Sequence, residues 1–378
     1  MCYYAVYAGT PFFRDTFGLS RFHVGIVITV LSLGYIAFLL PIGVMTDRYG
    51  ERRTLTLGLG GLAVAATLVT VAPNYAGLLV TTFVLGSFYG TAMPGTNKAI
   101  YDHISPGRQN LAIGIKQVGV TAGSGASVLL VTGFSGILSW ESGFWAAGLF
   151  AGGVAVLFYL FYSDNGGGSE VTYPDYRALL QNRPYRFLVV AGLFLGAAFF
   201  TTVAYTVLYI EESVGATVVF GGIVLAFVQV SGSLGRVVMG WLGDVLPGEP
   251  QRRIGLLLLG QTSASAVLLV AVSLTSSPLV SAFLFVLLGF FVLGFTGIYY
   301  SCMATLVRSS EIGSATAGGQ LALTTGGLVG PPVYGHLADA FGYRAGWWLL
   351  AGGCVVASLF FLLIVSTEPP VEEVAVTN

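Results

Sequence analysis

Gly43-Val44-Met45-Thr46-Asp47-Arg48-Tyr49-Gly50-Glu51-Arg52-Arg53 is the stretch whose reading decides the fold. Its charges, from Asp47 to Arg53, stand between two long apolar segments, so it reads as a tight loop joining two membrane helices. A weaker copy, Gly240-Trp241-Leu242-Gly243-Asp244, is followed by Arg252 and Arg253. Gly240 stands to Gly43 as Asp244 stands to Asp47, at one and the same interval. Two halves of one repeat are implied, and such repeats are the usual build of a membrane carrier.

Composition agrees. Hydrophobic residues make up 55% of the chain and charged residues 9%, with a mean hydropathy of +0.83. A soluble domain carries about 25% charged residues, so most of this chain belongs in lipid. The net charge of −1 argues against nucleic acid as a partner. Cys2, Cys302 and Cys354 fall in apolar segments and imply neither a disulfide framework nor a metal site. No glycine-rich phosphate loop precedes either lysine, Lys98 or Lys116. No cofactor is expected, and an ion or substrate gradient is the expected energy source.

A span needs about 20 apolar residues. Eleven full spans are expected, near 23–43, 54–72, 77–99, 111–132, 143–162, 187–210, 217–240, 254–273, 279–302, 313–335 and 345–365. Residues 1–13 are apolar but short. Through the repeat they correspond to 198–210, whereas the matching span begins near Phe187. About eleven residues of a first helix are then expected upstream, because a helix cut at mid-membrane leaves backbone groups unsatisfied in hydrocarbon.

Basic residues orient the chain. Arg48, Arg52, Arg53, Arg108, Arg177, Arg183, Arg186, Arg252, Arg253 and Arg308 fall in alternate loops, while the opposite loops hold Arg14, Arg21 and Arg344. The first side is expected to be cytoplasmic, with the tail 366–378 on it. The longest loop, 163–186, divides an N-terminal half (1–162) from a C-terminal half (187–365). It opens with the flexible Asp164-Asn165-Gly166-Gly167-Gly168-Ser169 and continues into a short amphipathic helix over Asp175–Asn182.

Small residues mark expected packing faces. Gly86 and Gly90, and Gly119 and Gly123, are four apart on one helix face. Gly326, Gly327, Gly330, Pro331 and Pro332 are expected to interrupt one helix, and Pro94 another.

The pattern Gly43-x-x-x-Asp47-Arg48-x-Gly50 resembles the signature loop between the second and third helices of the major facilitator superfamily. Ile113-Gly114-Ile115-Lys116-Gln117-Val118-Gly119-Val120 and Asp339-x-x-Gly342-Tyr343-Arg344 resemble that superfamily as well. The resemblance implies an all-α membrane protein of the major facilitator fold: two six-helix halves, here eleven full transmembrane helices plus a truncated first helix. It also implies a non-enzymatic, monomeric secondary transporter of the cell membrane, working by alternating access.

A cytoplasmic gate is implied at Gly43, Asp47, Arg48, Gly50, Arg52, Arg53, Asp102, Gly240 and Asp244. Asp47 sits at a helix C-terminus, where the dipole disfavours an anion by about 0.3–1 kcal/mol. In the superfamily its partner is the N-terminus of the eleventh helix in the other half. Glu51 departs from the family, which has a basic residue there, so Arg52 or Arg53 is expected to reach Asp102.

No Asp or Glu falls inside an expected span. A coupling ion, proton or other, therefore has no visible carboxylate to bind, unless one lies upstream or the substrate carries the charge. Lys116 is expected about 7.5 Å deep, at 1.5 Å per residue. It is the first candidate for a substrate residue, with Gln117, Asn97, Tyr205, Gln229, Arg236, Tyr299 and Gln320 as polar partners. Arg236 has an alternative role, serving the second loop motif through Asp244. A small organic anion is the expected substrate. An exporter of hydrophobic or drug-like compounds is the alternative, given Phe199, Phe200, Phe290 and Phe291. A non-transporting sensor on the same fold is a third reading. An intramembrane enzyme would need clustered His, Cys or carboxylates in lipid, and His23, His103 and His336 lie at helix ends or in loops.

Overall fold

The computed structural model describes residues 1–103, 105, 109–163, 179, 181–308 and 312–367. For residues 40, 47, 94, 97, 98, 101, 102, 109–115, 117, 118 and 312–314 it describes the backbone alone. Most of the expected helix Asp175–Asn182 and nearly all of the tail lie outside the described residues.

The chain folds as helices α1 (Cys2–Ala8), α2 (Thr10–Phe17), α3 (Arg21–Tyr49), α4 (Glu51–Thr70), α5 (Tyr75–Tyr89), α6 (Ala92–His103), α7 (Gln109–Ser135) and α8 (Trp140–Phe161). Beyond the linker come α9 (Arg183–Glu212), α10 (Val218–Val245), α11 (Pro250–Ser273), α12 (Pro278–Val292), α13 (Thr296–Leu306), α14 (Ile312–Phe341) and α15 (Tyr343–Ser366). Among the described residues, 8 segments are long and apolar enough to cross a membrane. Tyr75–Tyr89 and Gly119–Ser135 are shorter apolar helices. Capping follows the local sequence: Ser20, Asn74, Asn182 and Thr217 each accept a first-turn amide of the helix they precede.

Two expected spans are broken, and so is the short segment at the start. Residues 1–13 belong to two short helices hinged at Gly9. The span 77–99 breaks between α5 and α6 at Gly90–Thr91, and Pro94 lies in the first turn of α6, where its missing amide costs no helix bond. The span 279–302 breaks at the matching place, between α12 and α13. The expected interruption of α14 is absent, since it runs unbroken through Pro331 and Pro332. A contact from another helix compensates. Pro332 frees the Leu328 carbonyl, and the Thr29 hydroxyl of α3 donates to it.

One corner recurs. Asp47-Arg48-Tyr49-Gly50 ends α3 and Asp339-Ala340-Phe341-Gly342 ends α14. Gly50 and Gly342 share φ +84°, with ψ 157° and 164°. Only glycine takes this conformation without strain, so each Asp-x-x-Gly turns one helix directly into the next.

Packing repeats between the halves. A Cβ on Gly86 of α5 would stand 1.9 Å from the Leu31 carbonyl oxygen of α3, and one on Gly289 of α12 would stand 2.6 Å from that of Val228 on α10. Both contacts need a bare glycine. Gly86→Val should therefore sharply lower the yield of monodisperse protein on size-exclusion chromatography, through overpacking of about 1–3 kcal/mol. A yield equal to wild type would show that the helices separate freely. Gly119 departs from expectation, having open space rather than a helix neighbour beside it.

Candidate functional site

The two halves meet at the end of the bundle where α2 stops and α3 starts. Arg21 at the start of α3 donates from Nε and Nη2 to Glu212 at the end of α9, at 3.0 and 2.7 Å. Arg14 pairs with the same carboxylate from α2. Tyr343 at the start of α15 donates to it at 3.0 Å, and its ring lies 4.5 Å beneath the Arg21 guanidinium. Glu212 is only 13% exposed, whereas its partners Arg14 and Arg21 reach partly into solvent.

Asp339 completes this cluster. Its two oxygens accept the backbone amides of Arg21 and Phe22, at 3.0 and 2.9 Å. The carboxylate at the last turn of α14 thus caps the positive N-terminus of α3 across the half-to-half boundary. Nearby, Tyr205 donates to the Arg21 carbonyl at 2.5 Å and the Pro331 carbonyl at 3.1 Å. Beneath the cluster the backbones are in close contact. A Cβ on Gly25 would meet Pro332 at 2.5 Å, and one on Gly335 would meet the Arg21 carbonyl at 2.3 Å.

The opposite end is loose among the described residues. A Cβ on Gly43 or Gly240 would meet nothing within 4 Å. Met45, Arg48, Tyr49, Arg53 and Asp244 are exposed. The side chains of Asp47 and Asp102 lie outside the described residues. Arg52 donates to the Tyr159 carbonyl at 2.6 Å, which ties α4 to α8 within one half. Glu51, fully buried, accepts the Tyr162 hydroxyl at 2.9 Å and lies 3.8 Å from His103.

Between the two ends lies an aromatic chamber. α1 supplies Tyr3, Tyr4 and Tyr7, α3 supplies Ser32 and Tyr35, and α5 supplies Tyr89. Tyr3 and Tyr89 stack with centroids 4.2 Å apart, Tyr35 lies 5.5 Å from Tyr89, and Tyr3 meets Tyr4 edge-on at 5.4 Å. The other half contributes Gln229, Ser233 and Arg236 of α10, Tyr300 of α13 and Gln320 of α14. Tyr4 and Tyr300, from opposite halves, are both within electrostatic reach of Arg236. Arg236 Nε donates to the Leu293 carbonyl at 3.1 Å, at the α12–α13 break. No ion pair holds Arg236 among the described residues. Its Nε faces the helix break. Tyr4, Tyr35, Tyr89, Arg236, Tyr300 and Gln320 are all half-buried, although they stand at the centre of the bundle. An open space between the halves accounts for that.

The sequence-derived candidates therefore separate. Arg236, Gln229 and Gln320 line or adjoin the chamber. Gln229 Nε2 is buried without a partner, and Gln320 accepts the Tyr300 hydroxyl. Tyr299 is fully buried and donates to Leu188 at 3.3 Å, inside the second half. Tyr205 belongs to the closed end. Lys116 lies against Met93 of α6, Nζ to Sδ 3.7 Å. The side chains of Asn97 and Gln117 lie outside the described residues. Sequence reasoning missed the tyrosines of α1, Tyr35 and Tyr89, together with the cluster of Arg14, Arg21, Glu212, Asp339 and Tyr343. The spacing Tyr3, Tyr4, Tyr7 was the available signal, since it puts two rings one helical turn apart.

Among the described residues the chain is built of helices alone, several of them long and apolar enough to cross a membrane. The model of the Major Facilitator Superfamily matches residues 1–318 and 251–377, and the chain belongs to that superfamily. It is 24% identical to the hexuronate transporter of Bacillus subtilis (strain 168) over 364 residues, covering 91% of this chain and 86% of the relative. Over 332 residues it is 25% identical to the 3-(3-hydroxy-phenyl)propionate transporter of Escherichia coli (strain K12), covering 83% and 78% of the two chains. Its fold is similar to the crystal structure of a bacterial homolog to the human lysosomal transporter Spinster in inward-facing and occupied conformation. The TM-score there is 0.81 at 16% identity, over 97% of this chain and 95% of that one.

Proposed function

We propose that the chain is a secondary active transporter of the cell membrane that moves a small organic anion by alternating access. On this reading residues 1–162 and 187–365 are two six-helix halves joined by the cytoplasmic loop 163–186, with the tail 366–378 also cytoplasmic. Eleven full helices follow a shorter first one. The observation that carries the reading is Arg236, a half-buried cation between the halves with no carboxylate on it among the described residues. A cation so placed calls for an anionic ligand. The substrates named for the two curated relatives, a hexuronate and a hydroxyphenylpropionate, support the same class.

The two Asp-x-x-Gly corners supply the alternation. Asp339 caps the N-terminus of α3 at one end. Asp47, its twin at the other end of α3, has the start of α14 as its counterpart. The first contact closes the outside and the second closes the inside, so making one accompanies breaking the other. The form described here is the one closed outside, with Lys116 on the open side. A coupling ion, proton or other, completes the cycle.

Counterflow of a panel of labelled organic acids into proteoliposomes tests the reading. Exchange of at least one acid is expected, with Lys116→Gln reducing it strongly and Lys116→Arg retaining part. Equal exchange by Lys116→Gln would remove Lys116 from selection. Exchange of neutral and cationic compounds alone would favour export of hydrophobic compounds. One observation supports that second reading: an apolar cavity of about 370 Å³ between α3, α4 and α5, lined by Phe38, Ile42, Met45, Leu57, Phe83 and Phe88 among others.

A further inference from the structure

Resting on the reading of the chamber as the anion site, we infer that the substrate is an aromatic monocarboxylate, its carboxylate on Arg236 and its ring among Tyr4, Tyr35, Tyr89 and Tyr300. The argument starts from what the chamber has left to offer. The tyrosine hydroxyls are largely taken up by protein partners. Tyr3 lies 3.5 Å from Ser32, Tyr4 faces Tyr89, and Tyr300 donates to Gln320. What remains toward the open space is ring face, on four half-buried tyrosines drawn from four different helices. A flat aromatic ring meets such walls in stacked or edge-on geometry, as Tyr3, Tyr35 and Tyr89 already meet each other.

A polyhydroxylated acid fits poorly. Each of its hydroxyls gives up water on entry and needs a replacement partner. Among the described residues, the fully buried donors nearby without a partner are Gln229 Nε2 and the Tyr7 hydroxyl, and few polar groups of the walls remain for several sugar hydroxyls. The charge requirement is also narrow. Arg236 is the cation within reach of both Tyr4 and Tyr300, and a planar guanidinium suits one carboxylate. Residues 1–8 matter on this account because α1 carries the rings that define one wall.

Thermal-shift titration of the purified full-length protein with 3-phenylpropionate and with D-galacturonate tests the inference. Both are monoanions, so charge is held constant. The aromatic acid is expected to bind about tenfold more tightly or better. Tyr4→Leu and Tyr35→Leu should each erase most of that preference, and Tyr4→Phe should keep it, because the ring and not the hydroxyl is in use. Melting temperatures of the unliganded variants identify any that fail to fold, and the second leucine variant stands in for one that does. Galacturonate binding as tightly as 3-phenylpropionate, no shift by 3-phenylpropionate, or Tyr4→Phe losing what Tyr4→Leu loses would each overturn it. The underlying anion reading fails separately. If Arg236→Gln binds 3-phenylpropionate as wild type does, the carboxylate is not on Arg236. If galacturonate binds more tightly and depends on Arg236, the anion reading stands and the aromatic inference is overturned.

Discussion

Glu212→Gln should shift the protein about tenfold toward the form open at the Arg21 end. The carboxylate accepts from Arg21 twice, from Arg14 and from Tyr343, so three side chains of two halves converge on it. Glutamine keeps the shape but removes the charge that both guanidiniums face. Fully buried pairs lose about 3–5 kcal/mol when one partner goes. Arg14 is 31% exposed and Arg21 23%, so solvent screening brings the expected loss down to about 1–2 kcal/mol. A change of about 1.4 kcal/mol is tenfold in a two-state equilibrium. Spin labels at Leu138 and Leu274, exposed positions at the closed end of the two halves, would read it as a longer distance. Labels at Tyr49 and Val245, exposed at the other end, should move closer together. Unchanged distances at both ends would mean that the glycine and proline contacts of α3 with α14 hold the state and the ion pairs do not. Asp339→Asn should act in the same direction more weakly, because an asparagine oxygen still accepts one of the two amides.

Arg236→Gln should cost about 10- to 100-fold in affinity for an anionic substrate, with little loss of folded protein. A charge-assisted hydrogen bond contributes about 1.5–3 kcal/mol, and the guanidinium is the expected carboxylate partner. The structural cost is smaller. Arg236 gives one bond to the Leu293 carbonyl, the glutamine amide keeps a donor, and a single such bond contributes about 1 kcal/mol. Arg236→Lys should restore part of the affinity but lose the two-pronged fit. Radioligand binding together with the melting temperature separates the two effects. A variant that binds anions normally, or one whose binding falls only as its melting temperature falls, would make Arg236 a strut of the broken α12–α13 helix and no more.

Composition and the run of apolar segments already carried the helical membrane class, and the resemblance of Gly43–Gly50 to a known signature loop carried the family, because each is a property of residues near one another in the chain. The same holds for the Asp-x-x-Gly corners: Gly50 and Gly342 each need a backbone that only glycine adopts easily, and the aspartate three residues before each glycine marks the end of its helix. Arg236 was legible as a charge inside an apolar span. Residues 1–13 were legible only in part, since a short apolar segment looks like an incomplete span, and the Tyr3, Tyr4, Tyr7 spacing gives rings one turn apart without saying what they face.

The Arg21–Glu212 contact joins residues 191 apart in sequence, and Asp339 reaches the amide of Arg21 across 318. Each residue alone reads as an ordinary charge at a helix end. Their pairing depends on how helices from distant parts of the chain pack together, which neither residue's own neighbours determine. The chamber has the same origin. Its walls come from α1, α3, α5, α10, α13 and α14, and the broken α12–α13 helix turns Tyr300 inward beside Arg236. Local sequence determined the helices, their corners and their charges. Only the tertiary structure decided which charges meet and which rings share a space, because those contacts form between helices far apart in the chain.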